Sequence, residues 1–182
     1  MVGVGLVFVT VAISAGGALA DDFKIVPGER IGDLSLHMSL DEVMKLLGTP
    51  SLVEPSETSR STRYEWQSRF LKLVQSRDTG RIESIATWWI PGRSSPYKTE
   101  QRVAVGATVS QVRQSYGEDG CVYRVKLQWS TRTIAWPKLG IEFDIWLGVT
   151  APPDMVGRIH QINVLRPRAV RPGEGLPCTD LR

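Results

Sequence analysis

Residues 80–87 read G-R-I-E-S-I-A-T, and residues 157–164 read G-R-I-H-Q-I-N-V. Four of the eight positions are identical, and the isoleucines, Ile82 with Ile85 and Ile159 with Ile162, stand three apart in both. A plain half-buried strand alternates with period two, so a spacing of three predicts a β-bulge or a switch of the buried face. Both stretches read as strands, the first entered through the turn Arg77-Asp78-Thr79-Gly80.

The resemblance extends upstream. Residues 37–48, H-M-S-L-D-E-V-M-K-L-L-G, place Ser39 as N-cap and Glu42 at the third helical position, with Val43, Leu46 and Leu47 as an apolar stripe and Gly48 as the stop. Residues 106–117, G-A-T-V-S-Q-V-R-Q-S-Y-G, follow the same grammar 69 residues later with Thr108, Gln111, Val112, Tyr116 and Gly117. At that offset Leu34 and Leu36 match Val103 and Val105. Strands are expected at 62–68, 70–76 and 81–89 after the first helix, and at 122–129, 133–136, 140–147 and 158–164 after the second. Trp66 then corresponds to Trp136, and the seven surplus residues of the second stretch fall in the Pro-bearing loop 148–154. Residues 53–60, V-E-P-S-E-T-S-R, carry no strand expectation. The fold class these patterns predict is α+β, with two tandem helix-plus-antiparallel-sheet units sharing a core as one domain. The expected boundaries are a signal peptide at 1–20, a first unit at 21–90, a linker at 91–99, a second unit at 100–165 and a C-terminal tail at 166–182.

The chain has 182 residues, and its first twenty are uncharged and end in Ala18-Leu19-Ala20. An apolar segment closed by a small-x-small site reads as a secretory signal peptide, and its length also suffices for an uncleaved anchor. No cysteine stands near residue 21 to take a lipid. Net charge is +3, with 22 basic and 19 acidic side chains interspersed, and a secreted address argues against nucleic acid. The tail, with Arg166, Arg168, Arg171 and Arg182, reads as a solvated segment. Two cysteines, Cys121 and Cys178, make a disulfide the expectation in an oxidising compartment, one that would pin the Pro-rich tail to the end of a helix.

The stretches P-G-E-R-I-G-D-L-S-L-H-M-S-L-D-E-V-M-K-L-L-G-T-P and V-G-A-T-V-S-Q-V-R-Q-S-Y-G, each followed by strands and a G-R-I turn, resemble a unit shared by two groups. One is the SmpA/OmlA-type outer-membrane assembly lipoproteins, the other the β-lactamase-inhibitor-protein-like tandem domains. The resemblance implies two helical elements packed on an antiparallel sheet per unit, and an interaction surface in place of an active site. The lipidation cysteine of the first group is absent, and no residue that binds a β-lactamase can be placed on this chain.

Chemical motifs are few. Asp78-Thr79-Gly80 spells the aspartic-protease triplet, but no second triplet exists to share a proton with it, and a tight turn asks for the same residues. His37 and His160 lack partners at metal-ligand spacing, so no metal site is assigned. A Cys121–His160 nucleophile pair would require a free thiol. No nucleophile elbow, phosphate loop or nucleotide fingerprint occurs, so neither a catalytic residue nor a cofactor is assigned. What remains is aromatic: six tryptophans, Trp66, Trp88, Trp89, Trp129, Trp136 and Trp146, sit in or beside expected strands. Adjacent Trp88 and Trp89 cannot both face inward from one strand. Trp66, Trp88, Trp89, Trp136 and Tyr64 are the candidate binding residues, and the expected function is a non-enzymatic secreted or periplasmic protein that holds a protein partner, with a glycan as the other ligand. A small secreted hydrolase and an envelope scaffold are the alternative readings.

Overall fold

The computed structural model describes residues 23–126, 131–147 and 151–178. The expected signal segment, Trp129, residues 148–150 of the surplus loop, Asp180 and Arg182 lie outside these.

Both capping boxes form as the sequence dictates. Helix α1 is Leu40–Leu47, where the Glu42 N–H donates to Ser39 Oγ at 3.3 Å and the Ser39 N–H donates to Glu42 Oε2 at 2.7 Å. Helix α2 is Val109–Tyr116, with Gln111 N–H to Thr108 Oγ1 at 3.2 Å and Thr108 N–H to Gln111 Oε1 at 2.8 Å. Each reciprocal pair satisfies two donors that the first turn would otherwise leave open, a contribution of about 1 kcal/mol per cap. At eight residues neither helix would persist alone, and each is held by one fully buried residue, Val43 or Val112.

Besides two short 3-10 turns, Gln67–Arg69 and Pro153–Met155, the remaining described elements are strands: β1 Lys24–Val26, β2 Arg30–Ile31, β3 Leu34–Ser35, β4 Leu52–Ser56, β5 Ser61–Trp66, β6 Leu71–Ser76, β7 Ile82–Trp88, β8 Lys98–Thr99, β9 Val122–Lys126, β10 Thr131–Trp136, β11 Ile141–Trp146, β12 Ile159–Leu165 and β13 Leu176–Pro177. Nine of them form one antiparallel sheet in the order β13-β9-β10-β11-β12-β7-β6-β5-β4, and four short ones form a second sheet in the order β3-β2-β1-β8.

This corrects the expected fold class. The protein is mostly β, and the α+β reading of two helix-plus-sheet units fails because the strands after α1 and those after α2 do not close into sheets of their own. β7 and β12 pair over five residues, Ser84–Trp88 against Leu165–Gln161, and merge both sets into one sheet. The two segments supply one α-helix each, where the family resemblance implied two helical elements. The second sheet was not expected at all: β1 and β2 precede the first expected element, and β8, which pairs parallel with β1, arises from residues read as linker. Residues 53–60 also depart from expectation, since β4 is the edge strand beside β5. Pro55 is tolerated there because an edge strand has a free side on which no amide hydrogen is required.

The isoleucine spacing marks bulges. β6 and β7 slip register between Val74 and Gln75, leaving Glu83 as the extra residue; β11 and β12 slip between Asp144 and Ile145, leaving His160 extra. The bulges return Ile82, Ile85, Ile159 and Ile162 to one face, where all four are buried. The turn glycines ahead of these strands, Gly80 and Gly157, have φ of +67° and +71°, a region that a side chain resists.

The core lies between that face of the large sheet and a layer made of the small sheet and both helices. Ile25, Ile31, Leu34 and Leu36 meet Leu73, Ile85, Phe143 and Ile162 in one continuous cluster that also takes in Val43 and Val112. Behind it, the turns 26–29 and 137–140 touch through Gly28 N–H to Gly140 O at 3.1 Å, and a Cβ at Gly140 would stand 2.2 Å from Leu165 O.

The tail is pinned at successive points, contrary to the solvated segment expected. Arg166 Nη2 donates to Leu36 O at 2.7 Å, Arg168 N–H donates to Pro137 O at 2.9 Å, and Leu176 and Pro177 pair with Tyr123 and Val122. The Cys121–Cys178 disulfide then closes the strap a few residues beyond α2, with Cα atoms 5.5 Å apart. A 57-residue separation corresponds to about 4 kcal/mol in the chain-entropy account. Replacing both cysteines by alanine is expected to lower the thermal midpoint by about 8–16 °C in calorimetry. A fall under about 2 °C would show that the arginine contacts hold the tail without the disulfide.

Candidate functional site

Strand alternation assigns each side chain of the large sheet to one of two faces. The face turned away from the helices carries two cross-strand rows. One runs Trp88, Gln161, Asp144, Thr133, Arg124 across β7, β12, β11, β10 and β9; the next runs Ala86, Asn163, Glu142, Ala135, Val122. Ala86, Ala135, Thr133, Asp144 and Asn163 are all buried although they lie on this second face.

At one end of the rows the face is aromatic. The Trp89 and Trp146 rings meet edge to face with centroids 6.0 Å apart, and the His160 ring lies 5.2 Å from Trp146. The Trp89 N–H donates to His160 O at 2.7 Å, so the bulge residue of β12 fixes the backbone just past β7. Trp88 lies beside them in sequence, with Lys72 Nζ 5.2 Å above its ring. All three tryptophans are half-buried.

The middle of the face is a polar network. Asp144 accepts from Thr133 Oγ1 on one carboxylate oxygen and from Asn163 Nδ2, at 3.1 Å, on the other, while Gln161 Nε2 donates to Asn163 Oδ1. Each buried polar group therefore has a partner in an adjacent strand, which the low-dielectric position requires.

At the far end the charges gather around Glu174 of the tail. Its carboxylate takes Arg168 at 2.6 Å, Arg124 at 3.1 Å and the Arg171 N–H at 2.9 Å, and Arg124 also pairs with Glu142. The Arg168 hydrogen bond, aided by Arg171 and the Arg124 charge, pulls the Glu174 pKa from 4.5 to about 2.

The structure separates the candidate residues chosen from sequence. Trp88 and Trp89 belong to the aromatic end just described. Trp66 and Trp136 do not: each is 2% exposed and belongs to the core, Trp66 donating from Nε1 to Gly48 O at 2.9 Å and Trp136 packing on Tyr116 and Phe143. Tyr64 lies on the helix-facing side, stacked on Trp66 with its hydroxyl 3.3 Å from Gln75 Oε1. Trp146 and His160 complete the aromatic group and were not chosen. The signal for Trp146 was available, since it alternates with Ile141, Phe143 and Ile145, but the placement of His160 depends on a bulge. Asp144, Asn163 and Thr133 come together from three strands and carry no motif. Cys121 is in the disulfide, so the thiol that a Cys121–His160 pair would need is absent. Asp78 is turned to Arg60 at 2.7 Å in the hairpin turn. Among the described residues no group of three or more His, Cys, Asp or Glu converges as metal ligands would.

No family model matches the sequence, and no curated protein matches it. A crystal structure of a DUF4309 family protein, YjgB, from Bacillus subtilis is similar with a TM-score of 0.48 and 14% identity, over 76% of this chain and 88% of that one. Likeness at this level assigns neither family nor activity.

The Glu174 clamp has a pH signature. A carboxylate whose folded pKa lies below its unfolded value stabilises fully above the unfolded value, and that stabilisation is lost as pH falls through the folded one. The difference in thermal midpoint between the wild-type protein and Glu174→Gln is therefore expected to hold steady from neutral pH to about 4.5 and to shrink from there toward about 2. A constant difference across that range would mean that Arg168 and Arg124 do not favour the ionised carboxylate.

Proposed function

We propose that this is a non-enzymatic binding protein of a secreted or periplasmic compartment, which holds a protein partner against the outer face of the nine-stranded sheet. The observation that carries the reading is the contact of Trp89, Trp146 and His160, with Trp88 adjoining, at the solvent side of a sheet whose opposite side is already filled by the core. Half-buried tryptophans fixed by strand pairing lose little conformational freedom on binding and present apolar area, the properties of interface hot spots. The polar network beside them gives such an interface a border of oriented hydrogen-bonding groups.

The disulfide favours an oxidising compartment, as does the signal-like segment at 1–20. No helix of the described residues is long and apolar enough to cross a membrane.

Capture from an envelope extract with the immobilised protein tests the reading. Trp89→Ala and Trp146→Ala are each expected to cut recovery of a specific partner by about 30-fold or more at limiting concentration, the effect of losing about 2 kcal/mol at a hot spot. Val53→Ala, exposed on the edge strand β4, is expected to leave recovery intact. Equal recovery by the tryptophan variants and the wild-type protein would contradict the assignment of the surface.

A further inference from the structure

Among the described residues three that are not glycine have left-handed backbone conformations: Arg60 at φ +49°, Phe70 at +56° and Arg102 at +64°. A side chain there is disfavoured against glycine, so each needs a reason to be retained. For two of them the reason is visible. Arg60 pairs with Asp78 at 2.7 Å, and Phe70 is buried beneath the Arg93 guanidinium, 4.6 Å from its ring centre. The Arg102 side chain makes no hydrogen bond or ion pair among the described residues. Its backbone serves a turn, Arg102 N–H to Thr99 O at 2.9 Å, which glycine would form with less strain.

Arg102 lines an open cleft of about 470 Å³ between α2 and the segment leading into it. Arg158 stands in the same cleft, one Nη1 hydrogen spent on Gly106 O at 2.9 Å and the rest of the fork unclaimed among the described residues. Gln101, Gln114 and Ser115 supply further side chains that can hydrogen-bond, Gln111 adds only its amide NH2 because its Oε1 accepts from Thr108 in the capping box, and the remaining wall is residues 103, 104, 106 and 107. Among the described residues no acidic one lines the cleft. The nearest in sequence, Glu100, is directed to Lys24 at 3.5 Å, and Glu118 pairs with Arg113.

We infer that this cleft binds a sugar-like ligand bearing an oxyanion, a carboxylate or sulfate, with Arg102 and Arg158 on the charged group and the glutamine amides on hydroxyls. Two guanidinium forks without a carboxylate partner among the described residues match an oxyanion. The body of the ligand follows from the side chains that line the cleft, which among the described residues are amides and a hydroxyl, with Val103 buried and no aromatic ring on which a peptide anchor or acyl chain could rest. Amides and a hydroxyl suit a polyol. The inference is independent of the aromatic surface proposed above, because none of Trp88, Trp89, Trp146 or His160 lines this cleft.

Calorimetric titration of the full disulfide-bonded chain tests it, with four probes: a glucuronate-bearing tetrasaccharide, a sulfated tetrasaccharide, neutral maltotetraose and a hexa-glutamate peptide. At least one charged tetrasaccharide is expected to bind at millimolar concentration or below and about tenfold or more tighter than maltotetraose. Arg102→Gly is expected to weaken that binding about tenfold or more without lowering the thermal midpoint, whereas Phe70→Gly, whose side chain is structural, should lower it. Arg158→Lys tests the second fork and is expected to weaken binding in the same direction. The inference is overturned if neither charged tetrasaccharide binds at millimolar concentration, if hexa-glutamate binds as tightly as they do, if maltotetraose binds equally well, or if Arg102→Gly leaves affinity unchanged. Partner capture through the tryptophan surface should persist in Arg102→Gly, so failure of one site is distinguishable from failure of the other.

Discussion

The pairing of β7 with β12 is the constraint on which the rest of the molecule depends. Five residue pairs, from Ser84 with Leu165 to Trp88 with Gln161, join strands that begin 77 residues apart in sequence. Without that ladder, β4–β7 and β9–β12 would each be a small sheet with a long open edge. With it, the two edges vanish into the centre of a nine-stranded sheet, and the outermost strands are the Pro-bearing β4 and the two-residue β13. The same pairing makes the core continuous, because Ile85 and Leu73 on one side and Ile162 and Phe143 on the other fall on one face beneath both helices.

The outer face follows from the same geometry. Merging the strands sets Trp88 opposite Gln161, and through it in line with Asp144, Thr133 and Arg124. The polar row from Gln161 to Arg124 lies on β9–β12 alone, and the central ladder is what brings Trp88, with Trp89 beyond it, alongside that row. The bulge at His160 then turns one extra side chain toward Trp146, beside the point where β7 ends and Trp89 follows. Tail and disulfide close the opposite end through Glu174 and Cys178, so the face is framed by aromatic rings on one side and a charged clamp on the other.

Local signals were legible where the physics is local. Ser39 with Glu42 and Thr108 with Gln111 cap helices as their spacing demands, the paired isoleucines mark bulges, and two cysteines in an otherwise exported-looking chain form a bond. What failed was the inference from repeated local grammar to separate units. The sequence of β7 states that one face is buried but not which strand lies beside it, and the partner turned out to be β12. The short strands β1, β2 and β8 escaped because two or three residues cannot display a period. Trp66 and Trp136 were misplaced for a related reason: a tryptophan ending a strand reads alike whether it fills a core or faces a partner, and only the helix above Trp66, ending at Gly48, decides it. Arg102 gave no sequence signal at all, since a strained φ is invisible without coordinates.

Native-state hydrogen exchange across β7 and β12 tests the central claim most directly. If one ladder unites the sheet, the amides of residues 84–88 and 161–165 should be among the slowest to exchange, and their opening free energies should converge on a single value equal to that of global unfolding. Exchange in which residues 24–90 and 100–165 open as two units of different stability, with β7 and β12 amides unprotected, would contradict it.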